Sequence, residues 1–113
     1  MLELRFEWDP AKSDVNLRRR GFAFRYATLV FTGPTIEAED TRRDYGERRM
    51  IAVGMVGGEY LTVVYTDRTA SPGVRFRRII AAWRSSRRER ARHRQAADSA
   101  TSDSGPRGLG TVS

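Results

Sequence analysis

Two strand-like runs joined by a pair of glycines constrain the fold of this chain more than any other feature. Residues 48–56 read RRMIAVGMV and residues 59–66 read EYLTVVYT, with Gly57 and Gly58 between them. Consecutive glycines can both adopt positive φ at low steric cost, which a tight β-hairpin requires. A third run, VRFRRIIAA at residues 74–82, follows a polar seven-residue turn. The three runs predict an antiparallel meander at the centre of the fold.

The N-terminal residues predict an edge strand that leads into a helix. Apolar and polar side chains alternate from Leu2 to Trp8, and this alternation is the period of a half-buried strand. Asp9 offers an N-cap oxygen, and Pro10 occupies the first helical position, where its missing N–H is harmless. We expect the helix to end at about Arg20, because Gly21 can adopt the left-handed conformation that terminates helices.

The next segments are predicted to be a second short helix, a strand and a charged loop, over residues 24–31, 35–40 and 41–47. The spacing of the apolar residues in the second helix places them on one side of it. In the first helix the predicted buried side carries Ala11, Val15 and Leu17. Both helices should therefore pack on the sheet.

The C-terminal part of the chain changes from strand to basic helix and then to tail. Residues 83–95, WRSSRRERARHRQ, predict an arginine-rich helix that lacks an apolar stripe. Residues 97–113 are rich in Ser, Thr, Asp and Gly, include a proline, and are predicted to be disordered. The chain is thus predicted to hold one domain, residues 1–96, with an α+β fold in which N-terminal helices pack on an antiparallel sheet.

The charge balance indicates a polyanionic partner. The 113 residues include 21 Lys and Arg against 14 Asp and Glu, a net charge of +7, and Lys12 is the single lysine. Arginine binds phosphate through two parallel hydrogen bonds and stacks on bases. Nucleic acid is therefore the first candidate partner. A GC-rich genome would also raise the arginine content, but it would not by itself cluster the charges.

Several classes of protein are disfavoured by composition. The chain has no cysteine and one histidine, which excludes disulfides and thiol nucleophiles and argues against a zinc site. The N-terminal residues carry acidic side chains and lack a long apolar stretch, so we expect neither a signal peptide nor a membrane anchor. We predict a cytoplasmic protein without a cofactor.

Several short motifs follow one another in a characteristic order. They are Phe6-Glu7-Trp8-Asp9-Pro10 with Lys12, Asn16 with Gly21, Phe24 and Ala27, Val30-Phe31 with Pro34, Gly46-Glu47-Arg48, Val63-Val64-Tyr65-Thr66 with Arg68, and Arg78-Ile79-Ile80. In order and spacing these motifs resemble those of the BrnT family, small cytoplasmic ribonuclease toxins of type II toxin–antitoxin systems. The resemblance implies a RelE-like fold. Arg20 stands where the family usually has histidine, and Trp83 where it commonly has arginine.

Ribonuclease chemistry suggests roles for particular side chains. Attack of RNA by its own 2′-hydroxyl needs a base, an acid for the leaving 5′-oxygen, and cations that stabilise the phosphorane. The predicted catalytic residues are Lys12, Tyr65, Arg68, Arg78 and Arg84, and the predicted RNA-binding residues are Arg48, Arg49, Arg77, Trp83, Arg87 and Arg88. Glu47 and His93 are further candidate proton carriers.

The prediction depends on Tyr65. Because cations favour the ionised form of a phenol, we expect clustered arginines to lower the pKa of Tyr65. The register of the last hairpin decides whether Arg77 or Arg78 lies beside it, and the sequence leaves that register open. The structural alternative is that Tyr65 packs in the core and that the arginines form a solvated surface.

The resemblance also implies partners. It implies a BrnA-like antitoxin with a ribbon-helix-helix DNA-binding part, which would neutralise the toxin and repress the operon together with it. An acidic antitoxin segment would compete with RNA for the basic surface. The rival interpretation is a non-catalytic nucleic-acid-binding or regulatory module whose arginines only neutralise phosphate.

Overall fold

A five-stranded mixed sheet forms the centre of the molecule. The computed structural model describes residues 3–92 and 94–95, so His93 and the predicted tail, residues 97–113, lie outside the described residues. The elements in chain order are β1 (Glu3–Trp8), α1 (Pro10–Arg20), α2 (Phe24–Ala27), a 3₁₀ helix (Thr28–Thr32), β2 (Thr35–Glu39), β3 (Met50–Val56), β4 (Glu59–Ser71) and β5 (Val74–Arg84). In this part of the chain no helix is long and apolar enough to cross a membrane.

The strands lie in the order β1-β5-β4-β3-β2. The antiparallel pairing of β2 with β3, β3 with β4, and β4 with β5 confirms the meander predicted around Gly57 and Gly58. The α+β class and the edge position of β1 are also confirmed. β1 pairs parallel with β5, so the prediction of a purely antiparallel sheet is wrong. A parallel neighbour needs a long crossover connection, and the helices and strands between β1 and β5 provide it.

The turn between β4 and β5 is shorter than predicted, because β4 extends further towards it. Residues 67–71 belong to β4, so the seven-residue polar turn predicted there is wrong. The connection consists of Pro72 and Gly73, and Gly73 has a φ of 83°. The polar residues continue the strand because their side chains are exposed and need no apolar neighbours.

β5 also extends further than predicted at its C-terminal end. Trp83 and Arg84 were expected to begin the basic helix, but they pair with Thr62 and Leu61 of β4. This strand pairing makes the predicted start of the helix wrong. Helical backbone begins later and covers residues 87–92 and 94–95 of the described part of the chain.

We call the side of the sheet that packs against α2 and the 3₁₀ helix the inner face, and the opposite side the outer face. The predicted second helix, residues 24–31, is α2 continued by the 3₁₀ helix. Phe24, Ala27 and Val30 of this segment are buried against the inner face. Val30 packs especially close to β3, because a Cβ atom added to Gly54 would lie 3.0 Å from the Val30 Cβ.

The side of α1 that faces the rest of the molecule is polar. Ser13 and Asn16 are its buried residues, whereas Val15 is 38% exposed and Leu17 is 51% exposed. The predicted buried side with Ala11, Val15 and Leu17 is therefore wrong. Asn16 Nδ2 donates a 2.9 Å hydrogen bond to the Phe22 carbonyl, and Ser13 Oγ accepts one of 2.9 Å from the amide of residue 24. Short polar side chains hold α1 against the following loop.

Asn16→Ala should destabilise the fold by about 1–3 kcal/mol, because the buried Phe22 carbonyl would lose its donor. Urea unfolding followed by circular dichroism measures this difference. Asp14→Ala, an exposed change on the same helix, is the matched control and should stay within about 0.5 kcal/mol. Equal stability of the two variants would contradict the role of the Asn16 hydrogen bond.

Candidate functional site

The register of β4 and β5 brings Arg77, and not Arg78, to Tyr65. Tyr65 lies opposite Ile79, and Asp67 lies opposite Arg77, after an irregularity in the pairing just before Tyr65. The Arg77 guanidinium carbon is 4.1 Å from the centroid of the Tyr65 ring, within cation–π range. Arg77 also donates two hydrogen bonds of 2.8 Å to Asp67. Arg78 is on the outer face, because successive strand residues point to opposite sides.

Tyr65 is a buried hydrogen-bond donor. Its side chain belongs to the core, and the residue is 3% exposed. The phenol donates to Glu37 Oε1, and Thr35 Oγ1 donates a 2.6 Å hydrogen bond to the other oxygen of the same carboxylate. Burial raises the pKa of Tyr65, and the hydrogen bond to Glu37 raises it further, while the charge of Arg77 opposes them.

The expectation that arginines lower the pKa of Tyr65 is therefore wrong. Removal of the phenol from water has a larger effect than the one cation beside it. Asp67 and Glu37 add negative charge that further disfavours the phenolate. Tyr65 stays protonated through the neutral range and serves as a donor to Glu37, so its chemistry is that of a structural residue.

Tyr65→Phe should change the pH dependence of unfolding above pH 10. A raised pKa in the folded state gives stability that is present below the unfolded pKa of about 10 and is lost as pH rises beyond it. The variant should therefore be less stable at pH 7, by about 1–3 kcal/mol because Glu37 loses its donor. Its free energy of unfolding should also fall less steeply above pH 10.

Urea unfolding at pH 7 and pH 11 measures both effects. Tyr60→Phe is the control, because no hydrogen bond of the Tyr60 hydroxyl exists among the described residues. If both variants keep the pH dependence of the parent protein, the buried phenol does not contribute as described.

A second polar cluster lies on the outer face, where β1, β5 and β4 run side by side. We call it the outer-face array; it consists of Arg5, Glu7, Thr66, Arg68, Phe76 and Arg78. The strand registers arrange it in two rows, Glu7–Arg78–Thr66 and Arg5–Phe76–Arg68. Adjacent strands are about 4.8 Å apart, so each row spans about 10 Å.

Glu7 and Arg68 form a two-pronged ion pair across β5. Arg68 Nε and Nη2 donate hydrogen bonds of 3.1 Å to the two oxygens of the Glu7 carboxylate, although β1 and β4 are not neighbours in the sheet. The guanidinium carbon of Arg68 lies 4.7 Å from the centroid of the Phe76 ring, which fills the space between them. The Arg68 side chain is 57% exposed, so water screens the pair and limits its contribution to stability. The pair fixes a carboxylate and a guanidinium group on an accessible surface.

Arg78 lies directly beside this pair. Its Cα pairs with Glu7 on one side and with Thr66 on the other. Arg78 is exposed and makes no ion pair or hydrogen bond through its side chain within the described part of the chain. The Thr66 hydroxyl donates a 2.8 Å hydrogen bond to the Arg48 carbonyl. The array therefore holds a guanidinium group without a partner next to a positioned carboxylate.

Arg84 is far from this array in the fold. It pairs with Leu61 on the inner face and donates a 2.9 Å hydrogen bond to Glu59. Its guanidinium group also donates to the Arg20 carbonyl. The predicted convergence of Tyr65, Arg68, Arg78 and Arg84 on one phosphate is therefore wrong, because strand alternation sends Arg68 and Arg78 to one face and Tyr65 and Arg84 to the other.

Lys12 and Trp83 lie together along a groove of ≈ 400 Å³ between α1 and β5. Trp83 Nε1 donates a 2.6 Å hydrogen bond to Glu89 in the C-terminal helical residues. Along β5 the groove begins at Ile80, two residues after Arg78.

The other predicted RNA-binding arginines are distributed over the surface. Arg48 pairs with Glu39 at 3.4 Å, and Arg49 pairs with Glu47 at 3.0 Å and stacks on Tyr45. Glu47, a candidate proton carrier, is thereby engaged by a neighbouring cation. Arg87 and Arg88 are exposed on the C-terminal helical residues.

Sequence reasoning missed Glu7, Glu37 and Asp67 as members of the two polar clusters. Alternation along β1 and β4 was a usable signal, since it puts Glu7 on the polar side of β1 and Asp67 on the same side as Tyr65. No local signal indicates that Glu7 reaches Arg68, because the two residues lie on strands that do not pair.

Comparison with protein families adds an independent observation. A family model described as a ribonuclease toxin, BrnT, of type II toxin–antitoxin systems matches residues 8–89. A search of curated proteins gave no significant match. In the described residues no three His, Asp or Glu side chains are grouped so that they could hold a metal ion.

Proposed function

Because the chain belongs to the BrnT family of ribonuclease toxins of type II toxin–antitoxin systems, we propose that the outer-face array is its RNA-cleaving site. One observation carries the proposal: the Glu7–Arg68 ion pair stands beside Arg78, which has no partner among the described residues. A carboxylate can act as general base. Guanidinium groups bind phosphate oxygens through paired N–H donors.

Glu7 is the base in the proposed reaction. The scissile phosphate binds the guanidinium groups of Arg78 and Arg68. The paired N–H donors of Arg68 therefore turn from the Glu7 carboxylate to the phosphate oxygens. Glu7 accepts the proton of the 2′-hydroxyl, the 2′-oxygen bonds to phosphorus, and the bond from phosphorus to the 5′-oxygen breaks. The 5′-oxygen takes a proton from water, and the hydroxide that remains takes the proton from Glu7, which restores the carboxylate and the water. The products are a 2′,3′-cyclic phosphate and a 5′-hydroxyl end.

The two arginines stabilise the charge that develops on the phosphorane. A preorganised donor of this kind is worth about 3 kcal/mol in the transition state. We propose that the reaction needs no metal ion, because the guanidinium groups supply the positive charge. Lys12 is retained as a contact for an adjacent phosphate, since it lies on the groove that begins two residues along β5 from Arg78. Tyr65 and Arg84 are not part of the proposed site.

Arg68→Ala and Arg78→Ala should each lower the single-turnover rate of RNA cleavage by about 10²–10³-fold, because each removes one donor to the phosphorane. The assay uses purified protein and labelled RNA in EDTA, with products resolved on a gel. Arg25→Ala, an exposed change on α2, is the matched control and should cleave at the parental rate. RNA that is shifted but uncut by the parent protein would favour the rival, a non-catalytic binder.

Glu7→Gln should lower the cleavage rate by about 10²–10⁴-fold, the range for loss of a general base. RNA affinity should be kept or increased, because a neutral amide competes less with phosphate for Arg68. A merely structural ion pair would instead leave the cleavage rate of Glu7→Gln close to that of the parent protein.

The biological role follows from cleavage of RNA. We propose that the toxin inhibits translation by cutting messenger RNA in the cytoplasm and that a BrnA-like antitoxin of ribbon-helix-helix type neutralises it. Toxin and antitoxin together would repress their operon. The RelE-like classification implied by the sequence motifs remains a prediction. The net charge of +7 supports a polyanionic substrate.

A further inference from the structure

The groove between α1 and β5 has an apolar floor and an unpaired strand edge. Its apolar lining residues are Ala11, Val15, Phe24, Ile80, Ala81 and Ala82. β1 ends opposite Ile79, so from Ile80 onward the β5 edge on that side has no strand partner among the described residues. Unpaired strand edges are templates for another extended chain.

α1 runs beside this edge without closing it. The helix has 11 residues and is therefore about 16 Å long, which matches the five residues from Ile80 to Arg84 at about 3.3 Å each. Near its start Lys12 lines the groove with Ile80, and at its end the Arg20 carbonyl accepts a hydrogen bond from Arg84. The polar attachment of α1 through Ser13 and Asn16 turns Val15 away from the core. The groove is thus bordered by exposed side chains of α1, Val15 and Arg19 among them, next to the buried Asn16.

The charge around the groove is of one sign. Lys12, Arg19 and Arg20 line it, and no Asp or Glu does. None of these three side chains forms an ion pair within the described part of the chain. An occupant with carboxylates would therefore be attracted, whereas a second copy of this chain would bring the same positive groups and be repelled.

We propose that this groove receives an extended, acidic segment of the antitoxin, which adds to the β5 edge as a strand in line with β1. Main-chain hydrogen bonds to the edge provide affinity, alternate apolar side chains contact Val15 and Ala81, and carboxylates pair with Arg19 and Arg20. The proposal rests on the protein antitoxin of the family and not on the position of the RNA site. Bound there, the segment ends next to Lys12, where it also hinders RNA.

The test compares two double variants of the full chain, each of which replaces one apolar residue and one arginine of α1 with glutamate. Val15→Glu with Arg19→Glu alters the groove. Leu17→Glu with Arg18→Glu alters residues of the same helix that do not line it. Glutamate is a good helix former, so both variants should keep α1. Thermal unfolding checks this. The probe is the purified antitoxin of the same toxin–antitoxin pair, titrated by calorimetry.

The antitoxin affinity of the groove variant should fall about 30-fold or more, the loss typical of a central interface position. The antitoxin affinity of the control variant should fall by less than about 3-fold. The groove variant should cleave RNA at the rate of the parent protein. On complex formation, hydrogen exchange should slow at the amides of residues 80–83 and stay unchanged at the Gly57-Gly58 turn, because a docked strand protects only the edge it pairs with.

Three results would overturn the proposal. They are an unchanged antitoxin affinity of the groove variant, a loss of RNA cleavage without a loss of antitoxin affinity, and self-association of the parent protein that the groove variant abolishes. The second result would assign the groove to RNA and the third to another copy of the chain. If the parent protein binds antitoxin in this way but cleaves no RNA, the proposal for the outer-face array fails and the groove proposal stands.

Discussion

The pairing of β5 with β4 on one side and with β1 on the other controls where the charged side chains of the sheet lie. A shift of one residue in either pairing would exchange the two faces of β5. Arg77 would then leave Asp67, and Arg78 would face the core. The observed register instead buries Ile79 and Ala82 and leaves Arg78 on the accessible side. Apolar burial thus fixes the register, and the register in turn positions the basic groups.

The arginines of β4 and β5 have different surroundings as a result. Arg77 is inserted between aromatic rings and held by two hydrogen bonds to Asp67. Arg84 is tied to Glu59 and to the end of α1. Arg68 is held by the half-buried carboxylate of Glu7, and Arg78 by none that the described residues provide. Phosphate can recruit Arg68 and Arg78 without breaking the contacts that hold Arg77 and Arg84.

Much of the fold was predictable because its signals are local. Alternation in β1, the cap at Asp9 and Pro10, and the glycine pair before β4 each act over a few residues, and the elements they predict are present. The parallel pairing of β1 with β5 was not predictable in this way, since it joins segments about 70 residues apart in the chain. Its consequence, the contact of Glu7 with Arg68, was equally inaccessible.

The candidate site was less predictable than the fold. The sequence predicted a basic surface and identified Arg68 and Arg78 as candidate site residues. Their predicted grouping with Tyr65 depended on a strand register that the sequence leaves open. α1 was misjudged because its apolar residues were assigned to the core, whereas Ser13 and Asn16 occupy the buried positions. A polar helix side can be buried when each polar group finds a backbone partner, as both do here.

This attachment of α1 separates two kinds of evolutionary constraint. The residues that hold the helix in place, Ser13 and Asn16, are buried, and Asn16 also lines the groove, whereas Val15 and Arg19 line it with exposed side chains. Substitutions at Val15 and Arg19 can therefore accumulate with little effect on folding. Duplicated copies of such a gene could diverge in this helix until each protein ignores the antitoxin of the other, while the sheet beneath stays unchanged.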